Sequence, residues 1–265
     1  NRTSTGISLT QAGKVAVKFA QNMADMERVM ASQIAAIDEH FPANVTVGMS
    51  FADGVTLLPR LVAQYVKEQP DARVHLDAGY EPELVQKLKD GELDFAILEN
   101  QPLEPGIVTE VLGYKKLVFL APDKAPYNQM PGPVPIDTLL KWPMIVYEWH
   151  SGRHMVGNRH FRERYGLSLR DHNMVGCFDT HEAMIEGVKA GLGWATLPEC
   201  IASRYRNEPG IIRFKVATDT MWYPVSLTWP SSCSPSDEAR DFANFVRENI
   251  PEGYFANSTE AQPRS

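Results

Sequence analysis

Four short stretches carry side chains suited to gripping a small molecule. Met49-Ser50-Phe51-Ala52-Asp53 and Ala78-Gly79-Tyr80 lie in the first half of the chain. Glu148-Trp149-His150-Ser151-Gly152-Arg153-His154 and Cys177-Phe178-Asp179-Thr180 lie in the second. Each closes a strand-like run and opens a helix-like one. Open parallel sheets bind ligands at that place, outside the carboxyl ends of the strands. Helix N-termini there offer free N–H groups and a partial positive charge, which suit a carboxylate or another small anion. Ser50, Ser151 and Thr180 add hydroxyls, and Phe51, Tyr80, Trp149 and Phe178 add apolar walls, the usual mix of a small-molecule pocket. Any one of these hydroxyls alone reads as a helix cap. Only convergence of all four loops on one cleft makes a binding site of them.

The charged and nucleophilic groups narrow the chemistry. Arg153 could take a carboxylate in a two-pronged grip, or stand as a surface arginine at a helix start. Glu99, at the carboxyl end of an apolar strand, would repel an acid and welcome an amine or a hydroxyl. His150 and His154 have the i, i+4 spacing of metal ligands, but no third ligand has a helpful spacing, so no metal is expected. Cys177 and His181 would make a thiol–base pair, yet nothing supplies an orienting group or an oxyanion site, and a buried structural cysteine is the stronger reading. Gly191-Leu192-Gly193 precedes a strand rather than following one, so it is no phosphate loop. No P-loop, GxSxG elbow or HExxH helix occurs. The expectation is a binding protein without a cofactor, not an enzyme.

The elements that would position these residues follow from periodicity. Residues 9–40 lack proline, and Thr10 can cap a helix that Pro42 ends. Val15, Phe19, Met23, Met26, Met30, Ile34 and Ile37 fall at spacings of 4, 4, 3, 4, 4 and 3. That eleven-residue repeat keeps one apolar seam on a straight or slightly right-handed rod. A rod of about 30 residues spans roughly 45 Å, too long for one small domain. The seam therefore predicts pairing with a second copy, against the plainer alternative of a core helix.

Beyond it the period changes. ANVTVGMS, ARVHLDAG and LDFAILEN read as strands separated by helices at 53–68 and 81–90, the pattern of parallel βαβ units. IVTEVL and KKLVFLAP read as two further strands, followed by the proline-rich joint APYNQMPGPVP and a short helix, IDTLLKW. The order then restarts: PMIVYEW, a helix over 154–165, RDHNMVG, a helix over 180–190, and GWATLP. Gly79-Tyr80 and Asp179-Thr180 stand 100 residues apart, as do Gly91 and Gly191. Two lobes of similar build are expected. After Ile211-Ile-Arg-Phe and TMWYPVSLTW, a last helix over 236–249 most simply returns to the first lobe, so that two strands cross between lobes as a hinge. The tail EGYFANSTEAQPRS looks frayed.

Composition sets the outer limits. With 43% hydrophobic and 22% charged residues the chain is globular. A net charge of −7 argues against direct binding to nucleic acid by this body. Cys177, Cys200 and Cys233 show no CxxC spacing and read as reduced cytoplasmic thiols. No signal peptide and no membrane-spanning run is visible. The polar start NRTSTGIS, without Met, reads as a cut upstream of the long helix.

At this point a family resemblance emerges. STGISLTQAG resembles the end of the winged helix-turn-helix and the start of the linker helix in LysR-type transcriptional regulators, where LTxAG recurs. VGMSFADGVTLLPRLVAQYVKEQPDARVHL, LKDGELDFAIL, KKLVFLAPDKAP, FRERYGL and GVKAGLGWATLPE continue it over nearly the whole chain. The resemblance implies an α/β fold of two Rossmann-like lobes, of periplasmic-binding-protein type II architecture, after a linker helix. Residues 1–8 would be the remnant of the DNA-reading domain and 9–41 the dimerisation helix. Lobe I would take 43–117 and 221–255, lobe II 118–220, and 256–265 a tail. It further implies a homodimer or homotetramer, promoter DNA bound through the missing N-terminal domain, and no membrane partner. A small organic effector would sit between the lobes, near Ser50 to Asp53, Tyr80, Glu99, Ser151 to His154 and Phe178 to Thr180. An acid at Glu99 departs from carboxylate-binding members and points to an amino acid, a hydroxylated aromatic or an amine. The rivals are a periplasmic solute receptor with the same lobes and a two-lobed transferase.

Overall fold

The computed structural model describes residues 2–3, 6–7, 9–20, 23, 26–27, 30, 44–148, 152–168, 172–218, 220–231 and 235–256. Arg2–Thr3 and Gly6–Ile7 pair as a short antiparallel ribbon. Residues 11–20 are helical, as are Met23, Met26, Glu27 and Met30. Thr10 caps this helix, its Oγ1 accepting the Gly13 N–H at 3.0 Å. Val15, Phe19, Met23, Met26 and Met30 are 56% to 73% exposed and form an exposed apolar stripe. Ile34 and Ile37 lie outside the described residues.

Lobe I starts with β1 (Val45–Met49), α1 (Phe51–Thr56), α2 (Leu58–Glu68), β2 (Val74–Ala78), α3 (Glu81–Lys89) and β3 (Phe95–Leu98). β1 pairs in parallel with β2 and β3. β3 is buried along its length, as a central strand covered by helices on both faces must be. Phe95 and Ile97 face one way, into the cluster that holds Leu58, Leu61 and Tyr65 of α2. Ala96 and Leu98 face the other, against Leu84, Val85 and Leu88 of α3. One helix was expected over 53–68, and two form. Pro59 has no N–H to give and its ring crowds the preceding turn, so the chain breaks at Leu57 and Pro59 sits in the first turn of α2.

β4 (Ile107–Pro122) then leaves lobe I. After α4 (Ile136–Leu139), lobe II repeats the order with β5 (Met144–Tyr147), α5 (Gly152–Tyr165), β6 (Met174–Phe178), α6 (His181–Lys189) and β7 (Trp194–Pro198). β5 pairs in parallel with β6 and β7. Here α5 brings Phe161 onto the face of Val146 and Trp194, and α6 covers the face of Ile145, Tyr147, Ala195 and Leu197. β6 lies later than the expected RDHNMVG, because Cys177 and Phe178 still pair with Val146 and Tyr147. Gly91 and Gly191, closing α3 and α6, both take a left-handed backbone, with φ of 74° and 85°. Only glycine adopts that cheaply, and its recurrence after the second helix of each lobe marks the repeat.

The chain ends with α7 (Glu199–Ala202), β8 (Ile211–Phe214), β9 (Trp222–Pro230) and α8 (Asp237–Asn249). Apart from the ribbon of Arg2–Thr3 and Gly6–Ile7, the described strands form one sheet in the order β2-β1-β3-β9-β4-β7-β5-β6, with β8 paired to β4. α8 returns to lobe I as expected. Its capping Ser236 accepts the Ala239 N–H at 3.1 Å, and Phe242 and Phe245 lie 4.8 and 5.1 Å from the Tyr65 ring.

The two strands expected over 107–122 are one. Residues 107–116 of β4 pair antiparallel with β9, while Leu117 to Leu120 pair with β7 and Phe119 to Pro122 with β8. Gly113 does not break the strand, because a Cβ there would collide with Phe255 seated on it. Glycine serves close approach here, not a turn. The 16-residue β4 thus carries the chain from one lobe to the other, and β9 carries it back.

Candidate functional site

Lobe I builds a compact polar corner at the carboxyl ends of its strands. Ser50 follows β1 and is 7% exposed. Its N–H donates to Ile97 O at 3.0 Å, and its Oγ accepts the Glu99 N–H at 3.1 Å. The hydroxyl therefore ties the end of β1 to the end of β3, and its own proton remains to donate. Glu99 is 4% exposed in this corner. Phe51, opening α1, meets Tyr80, preceding α3, edge to face at 5.5 Å. Ser50, Phe51, Tyr80 and Glu99 are thus brought together. Asp53 lies on α1, its side chain outside the description.

Sequence reasoning missed Glu81 in this corner. It accepts the Asn100 amide at 3.2 Å. Burial raises its pKa above the ordinary glutamate value, the neighbouring Glu104 and Glu99 charges add to the rise, and the Asn100 bond opposes it. Its place beside Tyr80 at a helix start was the available signal.

Lobe II contributes differently. Trp149, His150 and Ser151 lie outside the described residues, and Arg153 stands in the first turn of α5 with its side chain outside the description. His154 is half-buried. With Leu117, Met144, Val146, Tyr147, Gly157, Phe161, Thr196 and Met221 it lines a cavity of about 30 Å³ beneath α5, beside the crossing strands. That volume suits a water or two, not a metabolite. Among the described candidate residues, His154 borders it. Phe178 packs its ring against Gly176 and Gly187, inside lobe II. Asp179 and Thr180 are exposed. Thr180 Oγ1 accepts the Ala183 N–H at 3.1 Å, a helix cap.

The Cys177 expectation is corrected. It is exposed, because β6 is the last strand on its side of the sheet and turns alternate side chains outward. His181 is buried and stacks on Tyr147 at 5.1 Å. Among the described residues no three histidine, cysteine or acidic side chains are placed to hold a metal, and no helix is long and apolar enough to cross a membrane.

The loops of the two lobes meet on shared ground. Ala52 of α1 is fully buried in one cluster with Ile145, Tyr147, Ile201 and Ala202 of lobe II, and Tyr80 and Phe178 pack on the same cluster. Ala52 therefore carries contact between lobes rather than an open wall.

Paired doubly wound lobes, joined by strands that cross twice and touching through their strand-end loops, define a two-lobed α/β binding domain. The chain belongs to the LysR substrate binding domain family, whose model matches residues 41–251. It is 24% identical over 203 residues to the HTH-type transcriptional regulator CzcR of Bacillus subtilis, covering 75% of this chain and 64% of that regulator's length. An uncharacterized HTH-type regulator of Methanocaldococcus jannaschii, MJ0300, is 24% identical over 221 residues, 82% of this chain and 72% of its own. Among solved structures, the effector binding domain of QuiR in complex with shikimate superposes with a TM-score of 0.69 at 17% identity, over 80% of this chain and 98% of that one. The regulatory domain of Synechocystis CcmR in complex with 2-PG also gives 0.69, at 15% identity over 80% and 99%.

Proposed function

We propose that this chain is the effector-sensing and oligomerisation portion of a LysR-type transcriptional regulator, acting in the cytoplasm. Lobe I takes 43–117 and 221–255, lobe II takes 118–220, and 256–265 is a tail. Residues 9–41 pair with a second copy, as a homodimer or within a homotetramer, and residues 1–8 end the domain that meets promoter DNA. The observation that carries this reading is the family match over both lobes, on a fold whose strand-end loops meet across β4 and β9. That relatives of this fold have been captured with shikimate and with 2-PG supports a small organic ligand.

The effector site comprises the Ser50–Asp53 loop, Tyr80, Glu99, residues 149–154 and Phe178–Thr180. Ala52 is buried in one cluster with lobe II residues in this state, so this contact parts to admit the molecule. A buried Glu99 beside the Ser50 hydroxyl selects an amine or hydroxyl donor. The effector acts by population shift: it favours one interlobe angle only as far as it binds that state better. A tenfold preference corresponds to about 1.4 kcal/mol.

Calorimetry against a panel of amino acids, amines and hydroxylated aromatic acids tests the site. Ser50→Ala and Thr180→Ala should each weaken binding of any compound that registers. Unchanged affinity in both means the molecule binds elsewhere. Met26→Asp places a charge in the exposed stripe and should halve the sedimenting mass, and an unaltered mass removes the helix from the interface.

A further inference from the structure

Tyr254 and Lys115 join parts of the chain that no motif connects. Lys115, on β4 two residues before that strand turns to lobe II, is only 6% exposed. Its Nζ donates to the Tyr254 hydroxyl at 2.8 Å, lies 3.6 Å from Cys200 Sγ on α7, and stands 4.1 Å from the Tyr254 ring centre. The Tyr254 hydroxyl lies 2.6 Å from Thr56 Oγ1, and Thr56 donates to Ala52 O at 2.6 Å. Each hydroxyl has one proton, so the chain runs one way. Lysine gives to Tyr254, Tyr254 to Thr56, and Thr56 to the backbone of α1.

The backbone of the same segment adds a second grip. Tyr114 and Ala256 exchange N–H···O bonds of 2.9 and 2.8 Å, and Phe255 seats on Gly113. This point is where β4 and β9 slip register, between Val225 and Ser226 opposite Gly113 and Val111. Such an irregularity leaves the crossing ribbon locally bent and less completely paired.

We infer that residues 251–256 are a strap across the hinge. Through it Tyr254 and Lys115 act as positioning residues that hold α1, and with it the Ser50 loop, against α7 of the second lobe. The strap grips lobe I at Thr56 and the crossing strand at Gly113 to Lys115, and Lys115 in turn reaches lobe II at Cys200. Any rotation that separates α1 from α7 works against this chain of bonds. Its consequence for effector affinity rests on the Ser50 loop being part of the effector site, but its mechanics do not.

Hydrogen exchange of the full chain without added ligand tests it. Tyr254→Phe keeps the ring over Lys115 and removes only the hydroxyl. Amides of residues 52–57 should then exchange about tenfold faster, while those of α8 stay unchanged. Thr56→Val should act to the same degree, and the double variant no further, because both cut one chain. The inference is overturned if exchange at 52–57 is unaltered, if it rises equally throughout the chain, or if the two substitutions act independently. No effector enters the experiment, so a negative result leaves the binding site standing. Unchanged calorimetry in Ser50→Ala and Thr180→Ala would equally leave the strap.

Discussion

The two lobes share an order of elements and differ in how tightly their strand ends are tied. In lobe I the loop hydroxyl of Ser50 is buried and bonded across to β3, with Glu99 and Glu81 beside it. In lobe II the hydroxyl of Thr180, which stands where Tyr80 stands in lobe I, is exposed and caps its own helix, and a small cavity lies under α5. α2 buries Leu58, Leu61 and Tyr65 against the sheet, whereas α5, GRHMVGNRHFRERY, is mostly polar. The contrast assigns roles. Lobe I is the rigid half that presents polar anchors, and lobe II has room to adjust.

Core truncations sharpen this contrast most. Phe242, fully buried against Tyr65 and Phe95, should cost about 3–5 kcal/mol as Phe242→Ala in urea unfolding. Phe161 borders the cavity and already lacks some neighbours, so Phe161→Ala should fall at about 3 kcal/mol, the low end of that range. Equal or reversed costs would mean the lobes are packed alike.

The hydroxyls give a smaller effect of the same sign. Ser50→Ala strands the buried Glu99 N–H and should cost about 2 kcal/mol. Thr180→Ala loses an exposed cap and should cost about 1 kcal/mol. Thermal unfolding of both variants decides it, and a larger loss for Thr180 would break the assignment of the rigid half.

Local patterns made much of this legible in the sequence. Thr10, Thr180 and Ser236 cap the helices they precede, because a cap is settled within three residues. The recurrence of Gly91 at Gly191 disclosed the second lobe. What failed was non-local. IVTEVL and KKLVFLAP read as two strands, yet one strand runs through both, with Phe255 seated on the Gly113 between them. Thr56 and Tyr254 bond across 198 residues, a separation no periodicity encodes. The exposure of Cys177 follows from β6 lying at the sheet edge, which strand order decides and composition does not. Of the candidate site residues, Ser50, Phe51, Tyr80 and Glu99 come together in one corner of lobe I. Residue types gave no hint that Ala52 is sealed between lobes or that the Thr180 oxygen is occupied by its own helix.

The central claim is that a small molecule between the lobes changes the angle between them. It is tested most directly by a spin-label distance from Arg60 on α2 to Glu182 on α6, both exposed, in a chain with its 3 cysteines replaced by serine. With the compound found by calorimetry at saturation, the distance distribution should move to a new maximum, and Ser50→Ala should return it toward the free value. A bound compound that leaves the distribution unmoved would contradict the account.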